Sequence, residues 1–484
     1  MKPKHLVLIL ILALLIVVGG GIAAFAPWKS GPRPDIILIV IDTLRPDHLG
    51  TYGYDLPTSP NIDAFAEDAV VFEDCRSHSS DTRLSVASML SGFYPHEARL
   101  MEARTAVPDE VEMAAEILKP LGYKTAAVIS NFMLSSPRHG MPDRNYDQGF
   151  DIYDDDMRER EKVRANFPER TAGPTTDRAV QILEQHDPDQ PLFLWVHYQD
   201  PHGPYTPPRE FGDMMKRPGV TPRRLELTGN VGGGNGIPNY QQLDHHRDYH
   251  HYVAQYDGEI RYLDGHFARL IQALKDHGYY DNALIILTSD HGEGMGEQNW
   301  YFAHGWNLYK SLIHVPLIVK YGDQLSGRRD DRAQHIDILP TIFSLLELDP
   351  NPLLRGSDLM KPLGTGRPIV SQVRGLIGDV YSLHTDGTKV IAAPNIKRFE
   401  FYDTNADPNE TNNLRGDPKS QALANQQIGR LQAILDDDRL NINVLTKEQQ
   451  LTAQQIEDME RAGYLEGKSG DDNNRKKPNL DFNR

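Results

Sequence analysis

One arrangement recurs along the chain and limits the folds open to it: an unbroken apolar run that stops at side chains able to hold a metal ion or move a proton. Ile36-Ile37-Leu38-Ile39-Val40-Ile41 stops at Asp42, and Pro191-Leu192-Phe193-Leu194-Trp195-Val196 stops at His197. Ala283-Leu284-Ile285-Ile286-Leu287-Thr288 ends in Ser289-Asp290-His291-Gly292. Such runs have no polar face, so both sides must be covered, as in a parallel sheet between helices. Open α/β sheets place ligands just beyond the carboxyl ends of their strands. Between the second and third runs, Ile260, Leu263, Phe267, Leu270, Ile271 and Leu274 recur at helical spacing, with Gly278 as a stop. The expected fold class is therefore α/β, a mixed and mostly parallel sheet between helices. Shorter β-rich elements after Leu353-Leu354-Arg355-Gly356-Ser357 give a smaller C-terminal α+β subdomain.

A hydroxyl-rich turn, Ser79-Ser80-Asp81-Thr82, leads into a short helical segment, Val86 to Leu90, stopped by Gly92. Backbone N–H groups point outward at a helix start and the dipole favours negative charge there. That setting suits a hydroxyl that attacks and briefly carries a phosphoryl or sulfuryl unit, although a plain helix cap needs the same residues. His197, Asp200 and His202 cluster just past a strand end with ligand chemistry. Asp290 and His291 offer one hard oxygen and one imidazole to a divalent cation, and Gly292 is expected to let the backbone turn sharply. Gly229 to Pro238 reads as a flexible lid or insertion, and Tyr153 to Arg178 as a solvated excursion. The pairs His245-His246 and His250-His251 are expected to decorate an exposed helix start.

Taken in order, these segments resemble the motifs of the sulfatase-like branch of the alkaline phosphatase superfamily, from Pro34 to about Gly463. Ala87-Ser88-Met89-Leu90-Ser91-Gly92 matches the end of that family's nucleophile loop, which puts Thr82 at the nucleophile and Ser85 at the motif serine. Leu84 stands for the usual proline and Val86 for the usual arginine. Ile41 to Tyr54 is similar to the first metal-binding loop, His197 to His202 to the H-x-x-D-P-H loop, and His304-Gly305 to a later site motif. Glu400-Phe401-Tyr402-Asp403 with Asp407 to Leu414 resembles the closing element. The resemblance implies an alkaline-phosphatase-like fold with metal ligands Asp42, Thr82, Asp290 and His291. It also implies catalytic roles for Thr82, His197, His202 and His304, the last as a ligand or leaving-group acid. The cofactor implied is a divalent metal ion. Calcium is usual in sulfatases, whereas His291 shifts the preference toward zinc or manganese.

Departures from the family pattern shape the expected activity. A sulfatase carries Cys or Ser at the nucleophile for conversion to formylglycine, and three cations to grip sulfate. Here Thr82 is at the nucleophile, Ser130 and Phe132 stand for the Lys and His, and no lysine lies close to Gly305. The expected function is a metal-dependent hydrolase cleaving or transferring a phosphate ester or phosphodiester through a Thr82 intermediate. Two alternatives are a sulfuric ester hydrolase of the arylsulfatase type and a non-catalytic envelope binding protein on the same fold.

Composition bears on partners. The 484 residues carry 51 basic and 68 acidic side chains, a net charge of −17, which argues against a nucleic-acid partner. The single cysteine, Cys75, excludes an internal disulfide framework and a zinc–thiolate cluster. Lys2 and Lys4 precede an uncharged run, Leu6 to Ala26, expected to anchor the chain in a membrane. Ala24-Phe25-Ala26 fits the alternative of a cleaved signal peptide, and either reading puts the catalytic part outside the cytoplasm, on a periplasmic or extracellular face. The partners expected are a small anionic ester or an envelope glycan or lipid substrate, and the membrane through the N-terminal segment. Oligomeric state is left open. The domain division expected is 1–28 anchor or signal peptide, 34–345 catalytic domain, 346–440 C-terminal subdomain, and 441–484 terminal helix and polar tail.

Overall fold

A computed structural model describes residues 33–101, 106–137, 144–160, 168–229, 232–322, 326–375, 378–385, 387–440, 442, 479, 480 and 482. The chain divides into Met1–Arg33 and Pro34–Arg484. The apolar run at 6–26 and nearly all of the tail after 440 lie outside the described residues. Among the described residues no helix is long and apolar enough to cross a membrane.

In chain order the main elements begin with β1 (Ile36–Ile41), α1 (Pro60–Glu67), β2 (Val70–Arg76), α2 (Thr82–Ser91), β3 (Lys124–Ile129) and β4 (Ile152–Asp154). There follow α3 (Ala172–Gln185), β5 (Leu192–Tyr198), α4 (Tyr249–Asp276), β6 (Leu284–Ser289), β7 (His314–Tyr321), β8 (Gly327–Arg329), β9 (Ala333–Gln334) and α5 (Ile338–Leu345). Last come β10 (Ile369–Gly375), β11 (Gly378–Thr385), β12 (Thr388–Ala393), β13 (Arg398–Asp403) and α6 (Gln421–Asp436). The first nine strands form one sheet in the order β8-β2-β7-β6-β1-β5-β3-β4, with β9 also on β2. Only β7 runs against the rest. The last four form a separate antiparallel meander on which α6 packs.

Each of the three apolar runs is a strand of this sheet, and β1, β5 and β6 are buried along their whole length. One face of the sheet, carrying Ile37, Ile39, Ile41, Leu194, Val196, Ile285 and Leu287, packs against α1, α3 and α4 in a single apolar cluster. Parallel register then decides what meets at the carboxyl edge. Ile41 pairs with Ser289 on one side, so Asp42 and Asp290 emerge as neighbours. On the other side Val40 pairs with His197, which also pairs with Ile129 of β3.

Three local expectations are corrected. The stretch after Ile152 is no solvated excursion: Ile152–Asp154 extends the sheet, and Asp154 accepts from Arg170 Nη1 at 2.7 Å and Arg178 Nε at 2.6 Å. The glycine-rich segment is docked, with Tyr301 N–H donating to Gly233 O at 2.9 Å and Asn235 N–H to Asn299 O at 2.7 Å. A Cβ on Gly233 would fall 2.3 Å from Tyr301 O, so close backbone packing accounts for that glycine. The long helix starts at Tyr249, earlier than its apolar spacing indicates, because Asp248 caps it. His250 and His251 fall in its first turn, and the His251 ring stacks on His246 at 3.9 Å between centroids.

Candidate active site

The carboxyl edge of β1, β5 and β6 gathers a set of fully buried ligand-type groups. Asp42 Oδ2 accepts from Asn131 Nδ2 at 2.6 Å, while Oδ1 has no hydrogen-bond partner. Asp290 Oδ1 accepts from the N–H groups of Thr43 at 3.2 Å and His291 at 2.8 Å, and its Oδ2 is likewise unpartnered. Neither ring nitrogen of His197 has a partner, and its Nε2 lies 4.0 Å from Asp290 Oδ2. Burial, reinforced by the Asp290 carboxylate, holds the Asp42 carboxyl well above the usual carboxylate range. Burial also pushes His197 down to about 4, which keeps its imidazole neutral. Two converging carboxylate oxygens and a neutral imidazole with unused lone pairs are the donor set of a divalent cation, and one atom from each of Asp42, His197 and Asp290 lies within 4.8 Å of the others. The residues present fit a metal ion.

Thr82 opens α2, which Asp81 caps by accepting from Leu84 N–H at 3.3 Å. Its hydroxyl is buried, at 1% exposure, rather than standing free at the helix start. Thr82 Oγ1 lies 3.2 Å from His291 Nε2. His291 Nδ1–H donates to Gly292 O at 2.9 Å, which turns the Nε2 lone pair toward Thr82, Asp290 Oδ2 at 3.5 Å and Asp42 Oδ1 at 3.9 Å. Ser85, one helical turn on, donates to the Asp290 carbonyl at 2.5 Å and so ties α2 to the loop after β6. Gly292 works differently from expectation. Its φ lies outside the left-handed region, but an added Cβ would sit 2.0 Å from Ser311 O, so close approach of two chain segments requires it.

The remaining histidines extend the site outward as a row of rings. His304 lies 4.5 Å from His291 and His202 lies 4.8 Å from His304, centroid to centroid. His304 Nδ1 meets Glu293 Oε1 at 3.2 Å, and Tyr205 OH donates to Glu293 Oε2 at 2.9 Å. Burial raises Glu293 to about 7 and drives His304 well below its ordinary value. Asp200 is not part of this group. It pairs with Glu259 of α4, and burial raises both carboxyls, Asp200 to about 6.

The structure thus brings together Asp42, Thr82, His197, Asp290 and His291, with His304 and His202 beyond them. His197 sits with the carboxylates, where the sequence suggests a catalytic histidine outside the ligand set. Three residues carry no mark in the sequence. Asn131 stands just past the end of β3, between the positions of two gripping cations, and its amide holds Asp42. Glu293, two residues after His291, orients His304. Arg83, directly after Thr82, is buried with Nε and Nη1 unpartnered.

The sequence model of the sulfatase family matches residues 34–348, so the chain belongs to the sulfatase family of hydrolases. N-acetylglucosamine-6-O-sulfatase of Bacteroides thetaiotaomicron is 22% identical over 468 residues, covering 79% of this chain and 83% of that protein. Arylsulfatase of Clostridium perfringens is 24% identical over 484 residues, covering 84% and 97%. The solved structure of a phosphonate monoester hydrolase from Agrobacterium radiobacter superposes with a TM-score of 0.68 at 20% identity, covering 87% of this chain and 99% of that one.

Proposed function

We propose that the chain is a metal-dependent ester hydrolase in which the Thr82 hydroxyl attacks the central atom of an anionic ester and carries the transferred group. The observation behind this reading is the position of Thr82 Oγ1, 3.2 Å from His291 Nε2 at the mouth of the unpartnered carboxylate pair. A divalent cation bound there supplies the positive charge that acidifies the hydroxyl and offsets the substrate's negative oxygens. Asp42, Asp290, His197 and His291 would hold it. Asn131 fixes the Asp42 carboxylate through one oxygen and leaves the other directed inward. The N-terminal end of α2 directs N–H groups toward the anionic group on Thr82. His304, held by Glu293, is placed to hydrogen-bond the leaving oxygen, and His202 stands beside it. Burial keeps bulk water from Thr82 until the leaving group departs.

Between phosphorus and sulfur, the side chains favour a phosphate ester or phosphodiester. Threonine has a methyl group where formylglycine formation needs a hydrogen, so an aldehyde cannot be made at residue 82. At the positions of two gripping cations, Ser130 bonds Thr175 at 2.7 Å and Phe132 is a buried hydrocarbon side chain. A phosphodiester carries one negative charge, which a cation and neutral donors balance. Sulfate ester hydrolysis is the second reading, favoured by the activities for which the two sequence relatives are named. A side-by-side assay of p-nitrophenyl sulfate and an aryl phosphodiester on metal-loaded full-length protein separates the two. At least about a hundredfold higher kcat/KM on the diester is expected, roughly 2.7 kcal/mol. Equal or greater sulfate turnover would reverse the order. We also place the enzyme outside the cytoplasm, on the strength of the uncharged run Leu6 to Ala26 behind Lys2 and Lys4. Protection from added protease after the outer barrier is opened, with only the cytoplasmic membrane intact, would contradict this placement.

A further inference from the structure

We infer that Arg83 and the N-terminal end of α2 form a binding site for a tetrahedral oxyanion, the guanidinium meeting the non-bridging oxygens of the group that Thr82 attacks. The identity of that group as substrate rests on the reading of Thr82 given above; the site itself does not.

Arg83 is the second residue of α2 and is 6% exposed, yet its Nε and Nη1 have no hydrogen-bond partner. Burying a charged guanidinium with idle N–H groups is costly, and folded chains rarely carry that cost without a ligand to offset it. The head group is located by its nearest acid. Arg83 Nε stands 3.6 Å from Asp81 Oδ1, beyond hydrogen-bond range, and the same Oδ1 caps α2 through Leu84 N–H. The guanidinium therefore lies at the end of the helix where free N–H groups and the dipole attract an anion. The adjoining wall carries Arg144, set against the Asp81 carboxylate. Tyr146 OH donates to the Arg83 carbonyl at 2.7 Å, and the charges of Arg83 and Arg144 both act on that hydroxyl against the effect of burial.

The chemistry of the ligand follows from the fork. A guanidinium presents parallel N–H groups that match two oxygens of a phosphate or sulfate. Among the described residues Asp81 is the carboxylate paired with the fork, and it leaves room for one anionic group rather than a polyanion. Arg83 would thus supply the positive charge that positions 130, 132 and the neighbourhood of 305 lack. Sequence spacing gives no hint of it, because it falls at the variable position of the nucleophile loop.

The test is titration of inorganic phosphate, and separately inorganic sulfate, into metal-loaded full-length protein, followed calorimetrically, for the wild type, R83M, R83Q and R83K. Thermal midpoints are read without anion. The anion Kd should rise about ten- to a hundredfold in R83M and R83Q, as expected for lost charge-assisted hydrogen bonds, and less in R83K. The anion with the lower wild-type Kd names the class. Without anion, R83M and R83Q should melt at or above the wild-type midpoint, because they relieve a buried charge whose Nε and Nη1 lack hydrogen-bond partners and whose nearest acid is 3.6 Å away. A structural Arg83 would do the reverse. An unchanged anion Kd in both neutral variants, or a midpoint several degrees lower without anion, would overturn the inference. Wild-type ester turnover, measured separately, decides the reading of Thr82 independently of these outcomes.

Discussion

A carboxylate oxygen with no partner inside a protein costs several kcal/mol, and Asp42 Oδ1 and Asp290 Oδ2 are in that state side by side. The cost makes sense if both oxygens serve a cation, and Asn131 then has a definite task. By donating to Asp42 Oδ2 at 2.6 Å it commits one oxygen and aims the other. Asn131→Ala should weaken metal binding about ten- to a hundredfold, the range for support of a ligand, with little change in folding. Competition against a chromogenic chelator measures this directly, and an unchanged metal Kd would remove Asn131 from the site. The ligand-type side chains were legible in the sequence because each follows an apolar run, where an acid or histidine stands out. Asn131 and Arg83 were not, since amides and guanidinia are common at strand and helix ends and no spacing singles them out.

Among the elements, α2 and the loop after β6 fix the distance between nucleophile and ligands; one contact joins the two, and another anchors the loop to the segment Lys310–Ile313. Ser85 Oγ binds the Asp290 carbonyl at 2.5 Å, and Gly292 N–H donates to Leu312 O at 2.9 Å. Gly292→Ala would put a methyl group 2.0 Å from Ser311 O and must displace the loop that carries Asp290 and His291. Its expected effect is at least about a hundredfold loss of turnover, since catalysis depends on sub-ångström placement. Gly278→Ala is the control. Gly278 has φ +80° and open space around its Cβ position, so the change should cost about 1 kcal/mol and leave kcat alone. Comparable activity in the two variants would show that the loop tolerates movement. The strands were legible from their apolar runs, whereas the start of α4 depended on the single cap Asp248, and the pairing of Ile152–Asp154 on non-local contacts that no short window contains.

At the scale of the whole molecule, the sheet's order and register carry the site, and buried polar groups behind α2 hold that edge in place. His78 Nδ1–H donates to Val370 O at 2.7 Å, and His335 lies between Ser85 Oγ at 3.3 Å and Thr288 Oγ1 at 3.2 Å. Burial lowers His78 to about 4 and holds His335 well below its ordinary value. In the unfolded chain both titrate near 6.5, so below that pH the unfolded state binds more protons. The contribution of these two rings should therefore be full above about pH 6.5 and be lost as pH drops toward about 4, each worth at most a few kcal/mol, while the raised carboxyls of Asp200 and Glu293 act with the opposite sign in that window. Titration of the individual imidazoles by NMR tests this directly, and a value near 6.5 for either ring in the folded protein would contradict its burial. Removing the metal should lower the thermal midpoint at any pH in this window, because a ligand of the folded state alone stabilises it by mass action. The sequence carried the class of fold through its three runs, while strand order and the four-stranded C-terminal meander depend on pairings between segments far apart in the chain. All of this serves one hydroxyl. Turnover of metal-loaded Thr82→Ala on whichever ester the wild type cleaves tests its role most directly. A loss of at least about a thousandfold is expected, since the variant removes the attacking atom and little core volume. Turnover within tenfold of the wild type would mean that Thr82 is not the nucleophile.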